Sequence, residues 1–264
     1  MSPLNKYLMA EMTWPELKRA VAEGRIAVLP AGCIEQHGPQ LPLDTDIMLA
    51  DEISRRAAAL VPDKVVVVPP IVHGHSPHHM DFPGTLTADP QHMISYVLDV
   101  CMSLAHHGFT KILIVNGHGS NAPVLDLVAR QTILRTEGRV ACASIFYMQS
   151  KEYEDLANSL FPEMQGHWGH ADEIETSLYM GVRPELVQLE KAEDNPITDT
   201  MMLGSAHLPL RLIWSSFSKE GIYGNVKNSS AEKGQKLVAA AVEGLSKIYV
   251  QFHDKQIPTR VDHH

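Results

Sequence analysis

Residues 31–46 run Ala-Gly-Cys-Ile-Glu-Gln-His-Gly-Pro-Gln-Leu-Pro-Leu-Asp-Thr-Asp and contain three side chains able to bind a metal, Glu35, His37 and Asp46. Such a mixture of carboxylate and imidazole suits zinc, manganese or iron better than calcium or magnesium. Side chains two apart on an extended chain point the same way, so Glu35 and His37 face one side together. Gly38, Pro39 and Pro42 turn the chain, which can return Asp46 to the same spot. Taken alone, such a Glu-x-His reads as a polar strand end with a surface histidine. Two further segments shift the balance. Residues 111–121, Lys-Ile-Leu-Ile-Val-Asn-Gly-His-Gly-Ser-Asn, end an apolar run at Asn116, Gly117 and His118. Residues 166–177, Gly-His-Trp-Gly-His-Ala-Asp-Glu-Ile-Glu-Thr-Ser, add His170 and Glu175 before a helical pattern.

Four motifs in this order resemble the creatininase (creatinine amidohydrolase) family: Glu-Gln-His-Gly with Asp46 eleven residues after Glu35, Phe82-Pro-Gly-Thr85, Asn116-Gly-His118, and His170 with Glu175-Thr-Ser behind it. The resemblance spans the chain from about Thr13 to Tyr249. It implies a site for two divalent ions, zinc or manganese with iron as a further candidate. Glu35, Asp46 and His118 would hold one ion; His37, Asp46 and Glu175 would hold the other. Asp46 would bridge them, since two cations about 3.5–4 Å apart repel and a shared anion offsets that repulsion. A hydroxide between the ions is a strong nucleophile near neutral pH. His170 matches the family's proton-transfer histidine, which would protonate the departing amide nitrogen. The competing reading places His170 behind the ligands, orienting Glu175 or Asp172.

The implied activity is hydrolysis of a C–N bond in a small cyclic amide. Two alternatives stand beside it: a deformylase of a formylaminopyrimidine phosphate in flavin or deazaflavin biosynthesis, and a non-catalytic metal-binding scaffold. The family also contains a peptidase of mycofactocin maturation. A phosphorylated substrate wants a basic pocket, for which the sequence offers only the scattered Arg183, Lys191 and Arg211. Two departures argue against creatinine itself. Ser120 stands where creatininase has a glutamate that contributes to the exchangeable metal. Met148 and Gly166 stand where it has two tryptophans, which removes the stacking walls for a planar ring. Ser120, His79, Met148 and Trp168 are therefore the expected pocket residues, with His167 a weaker candidate. His73, His75, His78 and His79 crowd one loop, read as a pocket wall. Asp44 could compete as a ligand, but only Asp46 keeps the family's spacing. His106 and His107 belong to a helix C-terminus.

These residues need a scaffold, and apolar runs alternate with helical patterns along the chain. A helix is expected from Thr13 to Gly24, with Thr13 and Glu16 spaced as a capping box. A strand follows from Ile26, then a helix over Ile47 to Leu60 and a strand from Lys64 stopped by Pro69 and Pro70. Asp89-Pro90 opens a helix ended by Gly108. Ile112 to Val115 is a strand, about Asn121 to Arg135 a helix, and Val140 to Tyr147 a strand. Ile174 and Leu178 mark a helix, and Ser229 to Gln251 another. This alternation predicts an α/β fold, a three-layer α/β/α sandwich with a mostly parallel sheet, built as one domain over residues 1–264. His37 and His118 then lie at strand carboxyl ends, where such sheets bind ligands. The stretch Ala192 to Gly224 has no clear period. It is expected to pack irregularly over the site or at a subunit interface.

With 264 residues and a formal net charge of −9, the chain has no clustered basic surface for nucleic acid. No apolar run approaches about 20 residues and no leader is evident, so no membrane association and a cytoplasmic location are expected. Cys33, Cys101 and Cys142 fit neither a disulfide framework nor a metal knuckle and read as small buried residues. Val261-Asp-His-His reads as a tag remnant. The resemblance further implies a homo-oligomer, a hexamer.

Overall fold

A computed structural model describes residues 6–162, 169–198, 202–203 and 208–264. Helix α1 covers Trp14–Ala22, followed by strand β1 (Ile26–Ala31), helix α2 (Thr45–Leu60), strand β2 (Val65–Val67), helix α3 (Pro90–His106) and strand β3 (Lys111–Asn116). Helix α4 (Ala122–Arg135), strand β4 (Ala141–Phe146), helix α5 (Lys151–Leu160) and helix α6 (Glu173–Val182) come next, then short strands β5 (Met202–Leu203) and β6 (Leu208–Pro209) and helix α7 (Ala231–Asp254). Strands β1 to β4 form one parallel sheet in the order β2-β1-β3-β4.

β1 is buried along its whole length. Its alternate side chains serve two cores, as the period of two requires. Ala27, Leu29 and Ala31 pack with Met93, Val97 and Leu104 of α3 and Val124, Leu125 and Val128 of α4. Ile26 and Val28 pack with Leu49 and Ile53 of α2, Tyr153 of α5, Leu178 of α6 and Leu237 and Leu245 of α7. Helices therefore cover both faces, giving the expected three layers.

Local chemistry sets the helix ends. The Asp89 side chain accepts from Gln91 N at the start of α3, and Gly108 at φ 98° follows its end. Asp172 accepts from Ile174 N and Glu175 N to start α6, and Ser230 accepts from Lys233 N to start α7. Three differences from the sequence reading stand out. α2 begins at Thr45, so Asp46 lies inside its first turn rather than in the preceding loop. α5 was not expected; Ser150 caps it and Tyr153 is its one buried residue. Within the aperiodic stretch, β5 and β6 pair antiparallel and Trp214–Ser216 forms a 3-10 turn.

The strand order places the site. From β1 the chain moves to β2 on one side, then crosses to β3 on the other. Outside the carboxyl ends of β1 and β3 this reversal leaves a crevice, the usual ligand position in open α/β sheets. Two glycines bring the start of α2 against that crevice. A Cβ on Gly32 would lie 2.6 Å from Ile47 Cα, and one on Gly117 would lie 2.3 Å from Asp46 O. Only a residue without a side chain permits this approach. Among the described residues, no helix is long and apolar enough to cross a membrane.

Candidate metal centre

Glu35 and His37 sit in the loop leaving β1. Glu35 N donates to Leu43 O at 3.0 Å, and Gln36 N donates to the Thr85 hydroxyl at 3.2 Å, so the Phe-Pro-Gly-Thr segment clamps this loop. His118 follows β3 in a turn closed by Asn116, whose side chain accepts from His118 N and donates to His118 O. Asp46 and Glu175 occupy the first turns of α2 and α6, where the helix dipole favours a carboxylate. His170 exchanges two backbone hydrogen bonds of 2.9 Å with Tyr223, which ties it to the far side of the aperiodic stretch.

All six residues meet in one cluster, buried except for the half-buried Glu175. The two Asp46 oxygens face opposite ways: Oδ1 lies 3.2 Å from His37 Nε2 and Oδ2 lies 3.0 Å from His118 Nδ1. Glu35 Oε2 is 3.4 Å from His118 Nε2, and Glu175 Oε2 is 3.9 Å from His37 Nε2. His37 Nδ1 is 3.2 Å from the Glu35 carbonyl oxygen, which takes its N–H and leaves Nε2 facing the carboxylates. Ala171 N donates to Glu175 Oε2 at 2.6 Å and fixes that carboxylate. His170 Nε2 lies 2.9 Å from Gln36 O, so Nδ1 is the atom turned toward Glu35 and Glu175, at 3.8 and 3.9 Å.

Among the described residues, both Glu35 oxygens and Asp46 Oδ2 are buried without a hydrogen-bond partner. Buried polar atoms are nearly always satisfied, so orphaned carboxylate oxygens facing imidazole nitrogens fit a cation. Three sets of donor atoms lie within 4.8 Å of one another: Cys33, Glu35, Asp46 and His118; Glu35, His79 and His170; and His37, His170 and Glu175.

The electrostatics match this crowding. Burial pushes Glu35 and Glu175 up to about 7 each, with the Asp46 charge adding to the effect. Burial also opposes charge on His37, yet Asp46, then Glu175 and Glu35, overcome it and push the imidazole up to about 10. Burial likewise opposes ionisation of Asp46, but His37 and His118 hold it well below the usual carboxylate range. His170 falls below its ordinary value, chiefly through burial and then through His37. His79 falls for the same first reason, with His170 next.

The expected pocket residues divide. His79 is buried, its Nε2 3.5 Å from Glu35 Oε1 and its Nδ1 2.7 Å from the Gln36 amide nitrogen. Ser120 is half-buried, with its hydroxyl 3.2 Å from His78 Nε2. Met148 is half-buried and packs against the core layer of α2, α5 and α7. Trp168, like His167 and Gly166, lies outside the described residues. Asp44 accepts from the Tyr179 hydroxyl at 2.9 Å instead of joining the cluster. Of the loop histidines, His73 is exposed, and His75 reaches His118 only through its backbone oxygen, 3.3 Å from Nε2.

Sequence reasoning missed Trp214. It is buried, with its ring 4.7 Å from that of His79 at 20° and 4.7 Å from that of His170 at 46°, and Phe217 packs 4.9 Å behind it. Its indole N–H has no hydrogen-bond partner among the described residues. The 3-10 turn at Trp214–Ser216 supplies an aromatic roof from a segment whose sequence has no periodic signal. A cavity of about 450 Å³ elsewhere, lined by Asp44, Met48, Asp51, Arg56, Val182 and Arg183, lies apart from this chemistry.

Comparison with known proteins agrees with the motifs. The family model for creatinine amidohydrolase matches residues 10–249, and the chain belongs to this creatininase family of hydrolases. The creatinine amidohydrolase of Pseudomonas putida is 27% identical over 257 residues, covering 90% of this chain and 94% of its own. The mycofactocin precursor peptide peptidase of Mycobacterium ulcerans is 28% identical over 249 residues, covering 88% and 83%. The 3-dehydro-scyllo-inosose hydrolase of Thermotoga maritima is 23% identical over 258 residues, covering 90% and 80%. Creatininase structures of Zn-Zn type and with Mn each superpose with a TM-score of 0.78 at 25% identity. They cover 94% of this chain and 98% and 99% of their own.

Proposed function

We propose that the protein is a dinuclear metal-dependent amidohydrolase that cleaves a C–N bond in a small cyclic amide, with creatinine disfavoured. One observation carries the reading: Asp46 offers one oxygen toward His37 and the other toward His118, the arrangement a bridging carboxylate needs. Glu35, Asp46 and His118 would hold the first ion; His37, Asp46 and Glu175 would hold the second. Bound there, two divalent ions supply Lewis acidity toward a carbonyl and lower the pKa of water within their reach toward ~7.

The chain's own residues supply the rest. His170 is held by Gln36 O through one ring nitrogen, so Nδ1 is free to take a proton on the side of the carboxylates and deliver it to a departing nitrogen. Burial lowers its proton affinity, which favours passing that proton on. Trp214 roofs the histidines and excludes water, and its unpaired N–H can donate to a substrate acceptor. His79 lies against Glu35 as a wall.

The relatives' names span a creatinine amidohydrolase, a precursor peptide peptidase and an inosose hydrolase, which makes the substrate the finer question. The deformylase reading stays second. Arg183 pairs with Glu185 at 3.2 Å beyond α6, while Lys191 and Arg211 are exposed. The test has two arms. Zinc- and manganese-loaded protein is screened against lactams, hydantoins, creatinine and formamides, where turnover of a lactam or hydantoin is expected. In Asp46→Ala, elemental analysis is expected to find both ions lost. Two ions per chain in that variant would refute the bridge, and metal binding without turnover of any compound would favour the scaffold reading.

A further inference from the structure

Cys33 lies two residues before Glu35, so on this extended segment the two side chains share a side. Its sulfur, a Glu35 oxygen, an Asp46 oxygen and a His118 ring nitrogen all lie within 4.8 Å of one another, and all four residues are buried. Three of the surrounding atoms, both Glu35 oxygens and Asp46 Oδ2, have no hydrogen-bond partner among the described residues. The sulfur is therefore one of four donors converging on the same buried point.

Its own contacts suit a ligand. The Ser76 hydroxyl donates to Cys33 Sγ at 3.0 Å, which uses the sulfur as an acceptor, the role a thiolate keeps when coordinated. The thiol's own acceptor, Asn121 Oδ1, is distant at 3.8 Å and already accepts from His75 N at 2.9 Å. Packing fixes the sulfur in place: a Cβ on Gly74 would lie 2.2 Å from it.

We propose that Cys33 is the fourth protein ligand of the first metal position, beside Glu35, Asp46 and His118, and that its sulfur makes this position selective for zinc over manganese. The proposal rests on the two-metal reading above. On coordination the S–H bond breaks, its electron pair goes to the metal and its proton to solvent. A soft thiolate selects zinc, whereas manganese prefers carboxylate, carbonyl and water oxygens. With Cys33 the first position would have four protein ligands and the second three, so the first ion would be the more firmly held.

X-ray absorption at the zinc edge of the unmodified, zinc-loaded protein tests this without any substitution. One sulfur neighbour at about 2.3 Å is expected. Cys33→Ser and Cys33→Ala should lose that neighbour. Their zinc affinity, read by chelator competition, should fall by more than the roughly 10–100-fold typical of outer-shell changes, while manganese affinity changes less. Circular dichroism checks that both variants fold. Zinc bound in an Asp46-dependent manner but with only oxygen and nitrogen neighbours would overturn the Cys33 assignment and leave the two-metal reading standing. Absence of zinc binding by the unmodified protein would overturn both.

Discussion

At the scale of single residues, what the sequence made legible was chemistry with fixed spacing. Glu35, His37, Asp46, His118, His170 and Glu175 were singled out by type and interval, and the fold brings all six together. Cys33 and Trp214 were not legible in that way. Cys33 stands among apolar neighbours and looks like any small core residue; only the approach of His118 and Asp46 from distant elements gives its sulfur company. Trp214 owes its place to rings far along the chain, His79 and His170, and no local pattern encodes that contact. His79 was one of four histidines in a loop, and the 3-10 turn Pro77–His79 decides which one points inward. The role of His170 is open to direct measurement. His170→Ala is expected to keep both metals and lose roughly 10²–10⁴-fold in kcat, the scale of a lost proton-transfer group. Loss of metal along with activity would make it a ligand instead, a role its Nδ1 position also permits.

At the scale of elements, caps and apolar periodicity identified α3, α4 and α7 to within a few residues, because Asp89, Pro90, Gly108 and the helix faces act locally. α5 escaped although Tyr153, Leu156, Ala157 and Leu160 stand at i, i+3, i+4 and i+7 and pack on the core layer of α2 and α7; the stripe is present in its ten residues, and sequence reasoning missed it. The start of α2 was placed two residues late, although that turn carries Asp46. What sequence periodicity could not convey was closeness: α2 reaches the proposed metal ligands only because Gly32 and Gly117 present no side chain to it. Gly117→Ala should therefore push the first turn of α2 outward. The expected cost is about 1–3 kcal/mol, the usual scale of overpacking. Calorimetry should show a lower Tm, and elemental analysis fewer ions per chain. A variant with unchanged Tm and full metal content would mean that the helix tolerates the methyl group and that the close approach does not set the site.

At the scale of the molecule, the aperiodic stretch divides between two duties. Trp214, Ile222 and Tyr223 fold back over the chain's own site. Beside them, Leu43, Met80, Leu86 and Ile213 remain exposed on the loops that flank the crevice, with Ile213 and Met80 at 50% and 52%. An apolar rim of this kind commonly marks a contact surface. We propose a closed homo-oligomer, with the hexamer of the family resemblance as the expected form. Light scattering at micromolar concentration should give a multiple of the 29.2 kDa chain mass, sixfold for a hexamer. A particle of one chain's mass would reject association, and a dimer would reject the hexamer alone.

The aromatic roof has a consequence in time. Trp214 closes over His79 and His170 from a segment tethered at Tyr223, whose N–H donates to His170 O. We expect an ion bound beneath it to escape while that tether is broken, so that the lifetime of bound metal follows the motion of the polypeptide as well as its coordination. The rate at which a chelator strips the protein should then be independent of chelator concentration once chelator is in excess, and should track amide exchange at Tyr223. Replacing Trp214 with Ala should hasten both. A stripping rate that rises linearly with chelator would instead mean that the ions are always within reach of solvent.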